Sequence, residues 1–129
     1  MKAGARRAFD IGIYLLVLAV LVQFLLAGLA IFFDNYYFFF HAVVNAPVIA
    51  FGSLILALIG WYAGVDRRTI WMTASVFLLV VLQSLLLVPY HSNATGILRA
   101  ISGLHVVNAL VIYWVALKLL DRVRFPARA

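Results

Sequence analysis

The sequence predicts an all-α protein, a four-helix transmembrane bundle whose N and C termini both lie in the cytoplasm. Hydrophobic residues make up 67% of the chain and charged residues 11%, and the mean hydropathy of +1.14 lies far outside the range of soluble proteins. Four apolar runs are each close in length to the roughly 20 residues that a helix needs to cross about 30 Å of hydrocarbon. The positions of the basic residues then indicate the orientation.

The four predicted helices cover approximately residues 11–33, 37–62, 70–88 and 97–120. The runs are continuous rather than alternating, which excludes a transmembrane β-barrel. The polar joints are too short to fold separately, so residues 1–129 are expected to form one domain. The first run follows the basic start MKAGARR and is longer than the core of a typical secretory signal, so we expect it to be retained as a helix.

The basic residues cluster on one side of this four-span topology. Nine of them precede helix one, join helices two and three, or end helix four: Lys2, Arg6, Arg7, Arg67, Arg68, Lys118, Arg122, Arg124 and Arg128. Arg99 alone lies near the other side. The positive-inside rule therefore predicts that both termini and the joint between helices two and three lie in the cytoplasm. We expect a multi-pass protein of a plasma membrane, as in a bacterial inner membrane. The net charge of +6 is a topological signal with at most a modest attraction to anionic lipid headgroups, and we expect no nucleic-acid partner.

Each predicted helix carries polar residues inside its apolar run. Gln23 lies in helix one and Gln83 in helix three, while helices two and four carry a His and an Asn in HAVVNAPVIAF (41–51) and SGLHVVNALVIYW (102–114). The order Gln, His, Gln, His indicates a tandem repeat of a helical hairpin about an axis along the membrane normal. Chance convergence among helices rich in Leu, Val and Ala is the alternative.

The two histidines are the candidate metal ligands. Burying an imidazole in hydrocarbon is costly unless something binds or hydrogen-bonds it, so His41 and His105 are expected to point into the bundle. One imidazole on each face suits the iron of a b-type haem, whose apolar ring fills a bundle core. Asn45 lies four residues after His41 and Asn108 three after His105, so each amide shares its histidine's helical face.

Three further residues complete the candidate cofactor-binding site. Gln23 and Gln83 are candidate hydrogen-bond donors around the ligands or between helices. Arg99, six residues before His105, is a candidate contact of the haem propionates. The predicted function is electron transfer within the lipid bilayer with a quinol as candidate partner, and no catalytic residue is predicted.

Two observations weigh against haem. A His or Asn in a membrane helix often only forms a hydrogen bond to a neighbouring helix, and each such bond contributes roughly 0.6–2 kcal/mol to stability. The sequence also predicts that the two histidines lie at different depths in the membrane. The stretch from His41 to Tyr62 is about six residues longer than the stretch from His105 to Leu120, which corresponds to about 9 Å of helix. Tilt, projection of helix two beyond the bilayer, or a bend at Pro47 would have to remove this offset.

A cofactor-free accessory or scaffold subunit is the alternative function. Its partners would be another membrane protein or a second copy of the chain. His91 is a rival metal ligand, but its place in the outer joint after Pro89 and Tyr90 indicates exposure to solvent. Proton-coupled export is disfavoured because every Asp lies at or beyond a helix end. The absence of Cys excludes disulfides and thiolate metal sites, and no hydrolase or nucleotide-binding motif is present.

Several short motifs resemble a family of small bacterial four-helix membrane proteins of uncharacterised function. They are the basic start, VQFLLAGL in helix one, the histidine of FDNYYFFFH, and GLHVVNALVIYWVAL in helix four. The resemblance covers nearly the whole chain, although HAVVNAPV departs from the family's pattern of a small residue and a glycine after the histidine. In its architecture, the histidine pairing also resembles the four-helix haem-binding units of membrane b-type cytochromes and haem A synthase.

Overall fold

The computed structural model describes residues 2–125, and all regular structure in that range is helical. The elements are α1 Lys2–Phe32, α2 Tyr37–Val43, a π-helical segment Val44–Ala50, α3 Phe51–Ala63, α4 Arg67–Leu85, α5 Val88–His91, α6 Gly96–Ile101 and α7 Leu104–Arg124. They make four spans: span 1 Lys2–Phe32, span 2 Tyr37–Ala63, span 3 Arg67–His91 and span 4 Gly96–Arg124. Each span is long and apolar enough to cross a membrane, which confirms the predicted all-α, four-helix fold.

The spans pack in sequence order around one core, and span 4 closes back onto span 1. Spans 2 and 4 are therefore diagonal to each other. All four spans contribute buried side chains to the core, among them Phe9, Ile13, Ile49, Val76 and Leu119. Apolar side chains from every span meet in one cluster, so packing rather than local helix propensity holds the arrangement.

The distribution of polarity is that of a protein in lipid. Many large apolar side chains on the spans are more than half exposed, for example Leu25, Leu58 and Leu78. Polar side chains lie inside, among them Ser53, Thr73, Gln83 and Asn108. So large an apolar exterior would be unfavourable in water, whereas hydrocarbon accepts it. This pattern and the four spans indicate a membrane protein.

The helices extend beyond the apolar runs at the end of the bundle where span 1 begins, which we call the basic end. α1 begins at Lys2 and α7 continues to Arg124, because Lys, Arg and Ala are good helix formers whether or not lipid surrounds them. Arg6 and Asp10 also pair one helical turn apart, with 2.9 Å between Nε and Oδ1. The short joint at this end starts with Gly64 in the left-handed conformation, at φ 74°, which caps span 2.

Two spans are interrupted near their histidines. Residues 44–50 of span 2 are π-helical around Pro47, because proline has no N–H to donate and its ring crowds the preceding turn. The sequence suggested a bend at Pro47, and the structure has this π-helical segment there, which begins three residues after His41. In span 4, Ser102 and Gly103 separate α6 from α7, just before His105.

Candidate functional site

His41 and His105 face each other across the bundle. His41 lies on α2 and His105 on α7, which belong to diagonal spans. Their ring centroids are 6.4 Å apart, and the ring planes are inclined by 45°. Both side chains line a cavity of about 180 Å³, which we call the histidine cavity.

The depth offset inferred from the sequence does not keep the rings apart. Span 4 ends at Arg124, four residues beyond the predicted end, so the difference between the stretches that follow His41 and His105 shrinks to three residues. The π-helical turn at Pro47 also rises less per residue than an α-helix, which shortens span 2 further.

Each histidine ring is held by the span that precedes it. Nδ1 of His41 lies 3.2 Å from the carbonyl oxygen of Gln23, and Nδ1 of His105 lies 2.9 Å from the carbonyl oxygen of Gln83. A carbonyl oxygen only accepts, so both Nδ1 atoms carry the proton and donate it. In the neutral rings both Nε2 atoms therefore have a lone pair available for a metal. The recurrence of this contact in both hairpins is what a tandem repeat predicts.

The two glutamine side chains differ in what they bond. Nε2 of Gln23 donates to the carbonyl oxygen of His41 at 2.9 Å, while Oε1 of Gln23 is buried without a hydrogen-bond partner in the described range. Oε1 of Gln83 accepts a 2.6 Å hydrogen bond from Asn108, whose Nδ2 also reaches the carbonyl oxygen of Leu79 at 2.8 Å. Asn108 therefore ties span 4 to span 3 behind His105.

The structure brings together most of the predicted site residues. Gln23, His41, Asn45, Gln83 and His105 all line the histidine cavity. Asn108 does not line the cavity, but its side chain donates a hydrogen bond to Gln83, which does. The sequence pattern therefore identified residues that share one cavity.

Arg99 and the rival ligand His91 lie elsewhere. The guanidinium of Arg99 lies 5.1 Å from the centre of the Tyr90 ring, and Arg99 is not part of the cavity lining. His91 is exposed, and its ring centroid lies 5.5 Å from that of Tyr90. Contact between Arg99 and haem propionates stays a prediction.

The remaining lining was missed by the sequence reasoning. It consists of Val20, Phe24, Ala27, Ile49, Val106, Ala109 and Ile112. The available signal was helical spacing, because Val20 and Ala27 lie on the face of Gln23, and Ala109 and Ile112 on that of His105. Phe24 is 40% and Val106 62% exposed, so the cavity reaches the lipid-facing surface between spans 1 and 4.

The arrangement suits a ligand that brings most of its own metal donors. Within residues 2–125 no three His, Cys, Asp or Glu side chains are grouped to hold a bare metal ion. Two neutral imidazoles on opposite sides of a largely apolar cavity would be able to hold such a ligand through their free Nε2 atoms.

The fold and the site define this protein as a four-span helical membrane protein with a polar, histidine-containing interior. Residues 23–89, just over half of the chain, match a family of unknown function, DUF6220. The chain belongs to this family, which confirms the expected likeness to a family of uncharacterised function. The matched range includes Gln23, His41 and Gln83 and ends before His105. No curated protein and no solved structure matches the chain.

Proposed function

We propose that this protein binds b-type haem between spans 2 and 4, with His41 and His105 as axial ligands, and transfers electrons in the membrane. One observation carries the proposal. Two imidazoles whose Nδ1 atoms are held by carbonyl oxygens meet across an apolar cavity with 6.4 Å between their ring centroids.

The spacing of the rings supports one metal ion between them. Zinc–imidazole bonds, taken as a guide to first-row metals, are about 2.0–2.1 Å long. Two such bonds on opposite sides of one ion take up about 4 Å of the 6.4 Å between the centroids. The distance that remains is close to twice the distance from a bonding nitrogen to the centre of its ring, which is what two coordinated imidazoles would take up.

The surroundings of the rings support a flat apolar ligand. Aliphatic and aromatic side chains make up most of the cavity lining, and the small side chains of Ala27 and Ala109 leave space beside the histidines. The cavity of about 180 Å³ is smaller than most ligand pockets, so a haem ring would extend from it through the opening beside Phe24 and Val106 toward the lipid. The apolar walls exclude water, and the carbonyl oxygens of Gln23 and Gln83 fix the orientation and the tautomer of the imidazoles.

Haem, when bound, supplies one-electron redox chemistry. A quinol in the bilayer is the electron donor that suits a site open to lipid. The charge distribution supports an orientation with both termini in the cytoplasm, and the membrane that we propose is a plasma membrane, as in bacteria.

The test is the reduced-minus-oxidised visible spectrum of the full chain, purified in mild detergent after expression with ample haem. We expect the sharp bands of a six-coordinate b-type haem, and we expect both His41→Ala and His105→Ala to lose them. The matched control is His91→Ala, which removes an exposed histidine outside the cavity and should keep the spectrum.

A second variant separates loss of a ligand from loss of the fold. His105→Gly leaves a space the size of an imidazole, so added imidazole should restore the six-coordinate spectrum if the protein is folded. A colourless, folded wild-type protein that takes up no added haem would overturn the proposal. Intact bands in both histidine-to-alanine variants would overturn it equally.

A further inference from the structure

The basic end of the bundle holds a second, larger cleft. It measures about 650 Å³ and lies between the start of α4 and the end of α7. Arg68, Lys118 and Arg122 contribute positive charge to its walls, while Met72 and Trp114 contribute apolar surface. The histidine cavity shares no residue with this cleft, which we call the basic cleft.

The cations of the basic cleft are only partly neutralised. Nη1 of Arg122 lies 3.5 Å from Oδ1 of Asp66, and Nζ of Lys118 lies 3.8 Å from Oδ2 of Asp121. Arg68 has no acidic partner within the described range of the chain, and it is exposed. Asp121 is the one acidic residue of the lining, and Asp66 adds a second carboxylate beside Arg122. Two carboxylates therefore oppose three cations, and the cleft keeps a net positive charge.

The position of the cleft indicates a ligand that is both charged and apolar. Trp114 is 58% exposed and lies on an apolar stretch of span 4, whereas Arg68 and Lys118 lie where the helices become polar. Aromatic residues at this depth mark the boundary between hydrocarbon and headgroups. A phosphate beside the cations and acyl chains along Met72 and Trp114 would each meet a matching surface.

We propose that the basic cleft binds the headgroup of an anionic phospholipid. Basic pockets between transmembrane helices bind lipid phosphates in this way, through charge and charge-assisted hydrogen bonds. The proposal is independent of haem, because the cleft and the histidine cavity lie in different parts of the bundle.

Native mass spectrometry of the full-length protein in detergent tests the proposal, with phosphatidylglycerol and phosphatidylcholine as the titrated lipids. We expect phosphatidylglycerol to bind more tightly. The double variant Arg68→Gln/Lys118→Gln should weaken phosphatidylglycerol binding about 10- to 30-fold, as expected for two basic residues near an anionic headgroup.

The matched control is Arg67→Gln/Lys2→Gln, which removes the same two residue types from the basic end. Arg67 lines a separate groove with Trp61, Ile70 and Trp71, so binding should change less than twofold. Equal weakening by both double variants would overturn the proposal, because attraction would then come from the general charge of this end. The absence of any preference over phosphatidylcholine would also overturn it. Full displacement of the lipid by millimolar inorganic phosphate would do so too, by assigning the cleft to free phosphate.

Discussion

Gln23 and His41 are joined by two reciprocal hydrogen bonds between spans 1 and 2. Nε2 of Gln23 donates to the carbonyl oxygen of His41 at 2.9 Å, and Nδ1 of His41 lies 3.2 Å from the carbonyl oxygen of Gln23. Only one of these bonds uses the glutamine side chain. The orientation of the imidazole therefore depends on the main chain of span 1, and the amide contributes a separate bond between the helices.

This division predicts the behaviour of Gln23→Leu. The substitution removes the amide donor but keeps the carbonyl oxygen that holds Nδ1 of His41. We expect the free energy of unfolding to fall by about 0.6–1.7 kcal/mol, the usual range for a hydrogen bond between membrane helices. We expect the haem spectrum to stay. Unfolding in mixed micelles and the visible spectrum measure the two effects, and a folded variant without haem would contradict this assignment of roles.

Filling the histidine cavity should remove haem without damaging the fold. Ala109 lines the cavity, so Ala109→Phe places a ring in the space beside His105. We expect the haem bands to disappear while the helical circular dichroism signal persists, because the ring occupies empty volume. The control is Leu110→Phe at the neighbouring position, which is 56% exposed and should keep the spectrum. Normal haem content in Ala109→Phe would place the cofactor elsewhere.

Much of the fold could be predicted because lipid imposes strict requirements on sequence. Run length gives the spans, and a polar residue in a spanning helix has to face the interior, which correctly grouped Gln23, His41, Gln83 and His105. The helix ends were less predictable, because Lys2 and Arg124 continue helices for reasons unrelated to hydropathy. The apolar cavity wall was hidden as well, since Val20 or Ile112 looks the same in a sequence whether it faces lipid or a cavity.

Asn108 is expected to matter more than its counterpart Asn45. Asn108→Leu removes hydrogen bonds to Gln83 and Leu79 and leaves the buried Oε1 of Gln83 without a partner, at a cost of about 1–3 kcal/mol. Within residues 2–125 the Asn45 side chain makes no such bridge, so Asn45→Leu should cost less. Unfolding titrations of both variants make the comparison. Equal losses would show that the two hairpins are more alike than these hydrogen bonds indicate.

Gly60 permits the close approach of spans 1 and 2. A Cβ atom at this position would lie 2.8 Å from Cε2 of Phe9, whose side chain is fully buried. Gly60→Ala should therefore destabilise the bundle by about 1–3 kcal/mol through overpacking. The control Gly52→Ala meets no atom within 4 Å and should be neutral or stabilising by up to about 1 kcal/mol. Thermal unfolding in detergent distinguishes them, and equal melting temperatures would refute the contact.

Asp66 makes the stability of the bundle depend on pH. Its carboxylate caps α4 by accepting a 3.0 Å hydrogen bond from the Thr69 amide and a 2.6 Å hydrogen bond from the Thr69 hydroxyl. The hydroxyl of Thr69, followed by its amide and the charge of Arg122, lowers the pKa of Asp66 below its ordinary value. The stabilisation is therefore complete above the ordinary aspartate pKa and is lost as the pH falls through the lowered value.

Two substitutions at Asp66 separate the hydrogen bond from the charge. Asp66→Ala removes the cap and should cost about 0.5–2 kcal/mol at neutral pH. Asp66→Asn keeps an oxygen acceptor but does not titrate, so it should lose less stability than the wild type between about pH 6 and about pH 3. Unfolding at both pH values gives the comparison. An identical pH dependence in the wild type and Asp66→Asn would show that other carboxylates control acid sensitivity, and that Asp66 acts as a cap without a role for its charge.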